Sequence, residues 1–191
     1  MSHQYHFITR WRVKASAEDV FDILSQPLEY PRWWPSVYLE VTAAGTGYFQ
    51  LHTRGWLPYT LRWNARTTVS QSPSFLTIEA TGDLTGRGIW SIVPDGEFTD
   101  ISFDWKVSAL KPIIRRLTFL LKPAFEANHR WAMQQGLASL ELELRRYRAR
   151  NVEESNAIPA PPAASRMFSR ESLAEAALTV LLIAGVARSG I

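Results

Sequence analysis

Between Val37 and Val107 the chain alternates apolar and polar residues in short runs closed by glycine or proline, a pattern that admits little besides an antiparallel sheet. Breaks at Gly45 to Gly47, Gly55 to Pro58, Ser72-Pro73, Gly82 and Pro94-Asp95-Gly96 divide it into six strands. A further strand precedes them. From His6 to Lys14, Phe7, Thr9, Trp11 and Val13 fall on one face and Ile8, Arg10, Arg12 and Lys14 on the other. The same reasoning sets Leu61, Trp63, Ala65, Thr67 and Val69 against Arg62, Asn64 and Arg66, and Ile101, Phe103, Trp105 and Val107 against Ser102, Asp104 and Lys106. One face is apolar throughout, so something must cover it.

The cover is helical. Ser16 and Asp19 have capping-box spacing and open a short helix through Val20, Phe21 and Leu24 that stops before Pro27. Tyr30-Pro31-Arg32-Trp33-Trp34-Pro35 follows, held by its prolines to a helical turn or loop expected to expose its aromatics. Beyond the strands, Pro112 to Lys122 is rich in Ile, Leu and Phe, and Pro123 reads as the first-turn proline of a new helix reaching about Arg150. On that helix His129, Met133, Leu137, Leu140, Leu144 and Tyr147 form an apolar stripe, leaving Glu126, Arg130, Gln134, Glu141 and Glu143 on the polar side.

Residues 1–150 thus read as one domain. The Pro/Ala-rich stretch 151–171 reads as a flexible linker and 172–191 as a short apolar helix introduced by a second capping box at Ser172 and Glu175. Its uncharged run Ala176 to Ala187 would span ~18 Å, short of the ~30 Å hydrocarbon core of a bilayer. The N-terminus has no basic stretch followed by an apolar one, so the expected location is cytoplasmic, with membrane association through the C-terminal segment as an addition.

The order of strand, short helices, six strands and long helix resembles that of the START-like, or SRPBCC, helix-grip superfamily. Three stretches are similar to its polyketide cyclase/dehydrase and lipid-transport group: Ala17 to Trp34 with Val-Phe-Asp-Ile-Leu and Tyr-Pro-Arg-Trp-Trp-Pro, Gly82 to Trp90, and Pro123 to His129. The resemblance implies an α+β fold in which a seven-stranded curved antiparallel sheet wraps around a long C-terminal helix, with two short helices after the first strand and an internal cavity. Members share no single catalytic constellation, so the resemblance supports ligand binding more than any one reaction.

The inward positions are dominated by large rings, in keeping with eight Trp and nine Phe in the chain. Phe49, Leu51, Trp63, Ile78, Trp90, Phe103, Trp105 and Met133 are the candidate ligand-binding residues, with Trp33 and Trp34 preferred as a mouth or gate over a plug. For any single ring the competing reading is core filling. Titratable groups are scarce on this face. His129 is the candidate catalytic base and Asn128 a group that could orient a carbonyl, against the plainer reading of a histidine hydrogen-bonded at the core edge. His52 and Arg54 share the outer face with Tyr48, and Gly82, Gly86 and Gly88 read as bends in the sheet.

The absence of cysteine removes disulfides and thiolate chemistry, and no His/Asp/Glu spacing suits a metal, so neither metal nor organic cofactor is expected. A net charge of +3 does not argue for nucleic acid. The favoured function is non-catalytic binding or transport of a small hydrophobic molecule, lipid-like or aromatic. A polyketide cyclase, aromatase or dehydratase is the alternative. A third reading has residues 172–187 dock on a membrane or a protein.

Overall fold

The computed structural model describes residues 4–57, 59–109 and 112–163, with the side chains of 109–122 outside the description. Seven antiparallel strands form one curved sheet: β1 (Gln4–Val13), β2 (Tyr38–Gly45), β3 (Tyr48–Arg54), β4 (Thr60–Gln71), β5 (Phe75–Gly82), β6 (Leu84–Asp95) and β7 (Phe98–Ala109). The order across the sheet is β1-β7-β6-β5-β4-β3-β2, so only the β1–β7 pairing joins strands distant in sequence. Helix α1 (Ala17–Leu24), a single turn of 3-10 helix (Pro27–Glu29) and the short α2 (Tyr30–Trp33) connect β1 to β2. Helix α3 (Pro112–Tyr147) lies over the concave face, and the five-residue α4 (Val152–Asn156) follows.

The alternation translates directly into burial. Along β1, Tyr5, Trp11 and Val13 are buried while His6, Ile8, Arg10 and Arg12 are exposed. Along β4, Trp63 and Ala65 are buried between exposed Arg62, Asn64 and Arg66. Val69 departs from the expected inner face. A register shift between Thr67 and Val69 inserts an extra residue, so the alternation loses phase and Val69 is 44% exposed.

At the start of α1 the Ser16 hydroxyl accepts the Asp19 N–H at 3.2 Å, and Val20, Phe21, Ile23 and Leu24 are buried. The next segment does not expose its aromatics: Tyr30, Trp33 and Trp34 are all buried, the last two almost completely. The prolines hold α2 to one turn, and that turn carries both indoles into the core, Trp34 against Gly136 of α3, instead of out to solvent.

One helix, not two, occupies the C-terminal part of the domain. Pro123 lies within α3, where it removes one N–H from the helical ladder, yet residues of good helix propensity on both sides carry the helix through. Glu143, expected on the polar side, is 5% exposed; its carboxylate accepts two hydrogen bonds from the Arg32 guanidinium of α2, at 2.6 and 3.0 Å. This fork fastens α2 to α3.

The first residues of the expected linker return to the domain. The Asn151 side chain caps α4, and the Arg146 guanidinium donates to the carbonyls of Ile158 and Pro159. The apolar segment 172–187 lies outside the described residues. No helix among the described residues is long and apolar enough to cross a membrane.

Candidate functional site

Between the concave face and the Phe125 to Met133 stretch of α3 lies a cavity of about 190 Å³, walled by side chains from all seven strands, from α3 and from the segment that joins β1 to β2. At ~10–15 Å³ per water-sized occupant, that is room for a ligand of roughly a dozen or more heavy atoms.

Its wall on β6 and β7 is a slab of rings. Trp90 stacks on Phe103 at 4.1 Å and 21°, and Phe103 stacks on Trp105 at 5.4 Å and 21°. The cause is Gly88, paired with Trp105 across the strands: a Cβ there would come within 2.7 Å of the Trp105 ring and 2.8 Å of the Phe103 ring. A bare backbone lets the rings lie over it. Trp63 sits 5.9 Å from Trp105, and its indole N–H donates to the Thr53 hydroxyl at 3.0 Å.

Phe49, Leu51, Trp63, Ile78, Trp90, Phe103, Trp105 and Met133 all line this cavity. Trp34 does too, while its ring also fills the space over Gly136 of α3, where any Cβ would overlap the indole. Trp33 does not line the cavity; it is packed behind Trp34, with ring centres 5.5 Å apart. The pair is therefore a packed plug in this structure, not an exposed mouth.

His129 stands in the cavity wall with its ring stacked on Phe7 at 4.2 Å and its Nε2 3.3 Å from the Thr9 hydroxyl. Burial, helped by the nearby charge of Arg130, pushes its pKa down to about 4. At neutral pH it is an uncharged hydrogen-bonding group and a weak base, since general bases work best with a pKa near the working pH. Asn128 also lines the cavity, but its Oδ1 accepts the Leu57 N–H at 3.1 Å, and its amide fills the space a Cβ on Gly55 would need. It latches the β3–β4 connection onto α3.

The structure adds wall residues that the sequence pattern did not single out. Phe125 lies one helical turn before His129 and would have emerged from extending the apolar stripe backwards. Tyr5 would have emerged from extending the β1 alternation by one pair. Tyr59 lies in the β3–β4 connection, where no period operates. Arg54, the last residue of β3, reaches the cavity, whereas His52 faces an outer groove with Glu40 and Arg62. Among the described residues no three His, Cys, Asp or Glu side chains are grouped to hold a metal.

A family model described as polyketide cyclase/dehydrase and lipid transport matches residues 6–145. The chain belongs to this family. Solved structures similar to this member of the polyketide cyclase/dehydrase and lipid transport family include the Zhui aromatase/cyclase of a Streptomyces species, with TM-score 0.62, 20% identity and coverage of 77% of this chain and 98% of that one. A START superfamily protein from Mycobacterium smegmatis matches with TM-score 0.54 and 19% identity over 71% of this chain and 98% of that one. The di-domain ARO/CYC protein BexL matches with TM-score 0.56 and 17% identity over 78% of this chain and 51% of that one. At these identities the likeness is one of fold: the START-like helix grip is shared. No curated protein matches significantly.

Proposed function

We propose that this member of the polyketide cyclase/dehydrase and lipid transport family binds a small, largely apolar molecule in the cavity and holds it without reacting. The observation that carries this reading is the cavity itself: a space of about 190 Å³ whose wall is mostly aromatic and aliphatic and whose one histidine is held neutral. Native mass spectrometry and solvent extraction of the purified protein are expected to show a bound apolar molecule, and calorimetry to show uptake of apolar probes. A protein that takes up no such probe is not a carrier.

A catalytic reading rests on His129, which stands in the wall beside Thr9 with Asn128 next to it in sequence. On that reading a polyketide-like substrate is cyclised or dehydrated, with His129 as the proton acceptor. Turnover that survives in His129→Ala would remove His129 from the mechanism. A base of pKa about 4 is poorly matched to neutral pH, which is why binding is preferred.

A further inference from the structure

Of the eight tryptophans, all but Trp56 are buried in the core or packed against it. Trp56 is partly exposed in the β3–β4 connection, within the run Arg54-Gly55-Trp56-Leu57-Pro58-Tyr59-Thr60-Leu61-Arg62. Two arginines thus bracket a group of large apolar residues. An indole has an apolar body and one polar N–H, and a surface position suits it best where water meets lipid.

This connection sits on α3. The Leu57 N–H donates to the Asn128 side chain at 3.1 Å, and the Tyr59 and Phe125 rings meet at 6.5 Å and 70°. Residues 112–122 lead into that part of the helix, and their sequence is apolar on both sides of the helical period. Ile114 and Leu121 are in step with Phe125, whereas Ile113 and Leu120 fall on the opposite stripe with Arg116. After Pro123 the opposite stripe turns polar, with Arg130 and Gln134 exposed. A two-layer fold buries one stripe of a helix, so a stretch apolar on both sides has more to bury than the sheet can cover.

Charge is one-sided here as well. Neither residues 41–78 nor residues 107–125 contain Asp or Glu. The first stretch supplies Arg54 and Arg62 beside Trp56, and the second contains Lys111, Arg115, Arg116 and Lys122. The acids beside them are Glu126 and Asp83, whose carboxylate accepts the Arg62 N–H. Arg54, Gly55 and Tyr59 line the cavity while keeping part of their surface in solvent, so the connection is itself the cavity wall at this edge.

We propose that this edge of the domain docks on an anionic lipid bilayer. Trp56 and the apolar residues of 112–122 enter the headgroup region, and the flanking Lys and Arg meet the anionic headgroups. At ~16 Å, residues 112–122 lie on the bilayer and do not cross its ~30 Å core. The purpose of docking rests on the binding reading above: the cavity is laid against a reservoir of apolar ligand.

Sedimentation of the full chain with vesicles tests the contact, using phosphatidylcholine alone and phosphatidylcholine with about three-tenths phosphatidylserine. The protein should prefer the anionic vesicles by about tenfold or more, and lose that preference as salt rises. Joint Arg115→Gln and Arg116→Gln should weaken vesicle binding about thirtyfold, and Trp56→Ala about tenfold, with uptake of an apolar probe unchanged. Melting curves without lipid check the folding of each variant, and either variant alone decides the matter. Undiminished vesicle binding in a folded variant overturns the proposal. Binding to heparin that matches binding to vesicles and ignores Trp56→Ala identifies a polyanion site, and overturns it too. A natural protein that takes up the probe but ignores anionic vesicles overturns docking alone; one that docks and takes up no probe overturns the binding reading alone.

Discussion

From Phe125 to Met133, α3 faces a cavity; from Gly136 to Leu144 the same helix, over the same sheet, faces packed side chains. In the second half Ser139 and Leu140 have no exposure, Leu144 is 4% exposed, and Trp34 occupies the space above Gly136. What differs is the filler. The α2 segment seats Trp34 against Gly136, with Trp33 and Tyr30 packed on Trp34, and Arg32 fastens it through Glu143. Among the described residues nothing comparable is inserted under Phe125 to Met133, where rings from the sheet stand across an open space from Phe125, His129 and Met133. A curved sheet and a helix laid across it leave a gap by geometry, and the chain fills one end of it.

This contrast is broken most severely by adding volume. Gly136→Leu forces Trp34 out of its seat and should cost about 3 kcal/mol or more, whereas Ala132→Leu, one turn earlier and facing the cavity, should stay within about 1 kcal/mol and reduce ligand uptake instead. Denaturant midpoints together with calorimetry of an apolar probe separate the two outcomes. Equal destabilisation by both would mean that the first half is packed as tightly as the second.

A smaller effect comes from acid. The folded-state pKa of His129, about 4, lies below its ordinary value of 6.5, so between these pH values the unfolded chain binds the extra proton and stability falls as the pH falls. The loss should reach up to about 3 kcal/mol near pH 4, be absent above about pH 7, and be largely removed in His129→Gln. Melting curves across that range test it, with an unchanged acid slope in the variant as the contrary result.

The smallest expected effect concerns the clasp of the filled end. Arg32→Leu leaves the buried Glu143 carboxylate with only Arg146, 3.8 Å away, among the described residues, and should cost about 2 kcal/mol, moderated because Arg32 is itself half exposed. Ligand affinity should change little, because neither Arg32 nor Glu143 belongs to the cavity wall. A large loss of affinity would show that the two ends are coupled.

How much of this was legible follows from what periodicity can encode. The two-residue period identified Trp63, Phe103 and Trp105 as inward, and the helical period did the same for His129 and Met133, because side-chain direction is a local property. It failed at Val69, where a bulge changed the phase, and at Pro123, where a first-turn proline and an interior one read alike. It also placed Glu143 in solvent, since its partner Arg32 lies on a distant element. Within the site, periodicity indicates which residues face inward but not whether the facing surfaces meet. The separation of Trp33 from the cavity depends on that third dimension.

The rings of the cavity wall and of the plug form one connected series. Trp33 and Trp34 are 5.5 Å apart, Trp34 and Trp11 6.0 Å, and Trp11 and Trp90 5.4 Å; Phe103 links Trp90 to Trp105, and Trp105 lies 5.9 Å from Trp63. Indoles this close exchange excitation faster than they emit. A quencher seated against Trp63 should therefore darken tryptophans it never touches, and the emission of these six tryptophans becomes a single, amplified gauge of whether the cavity is occupied.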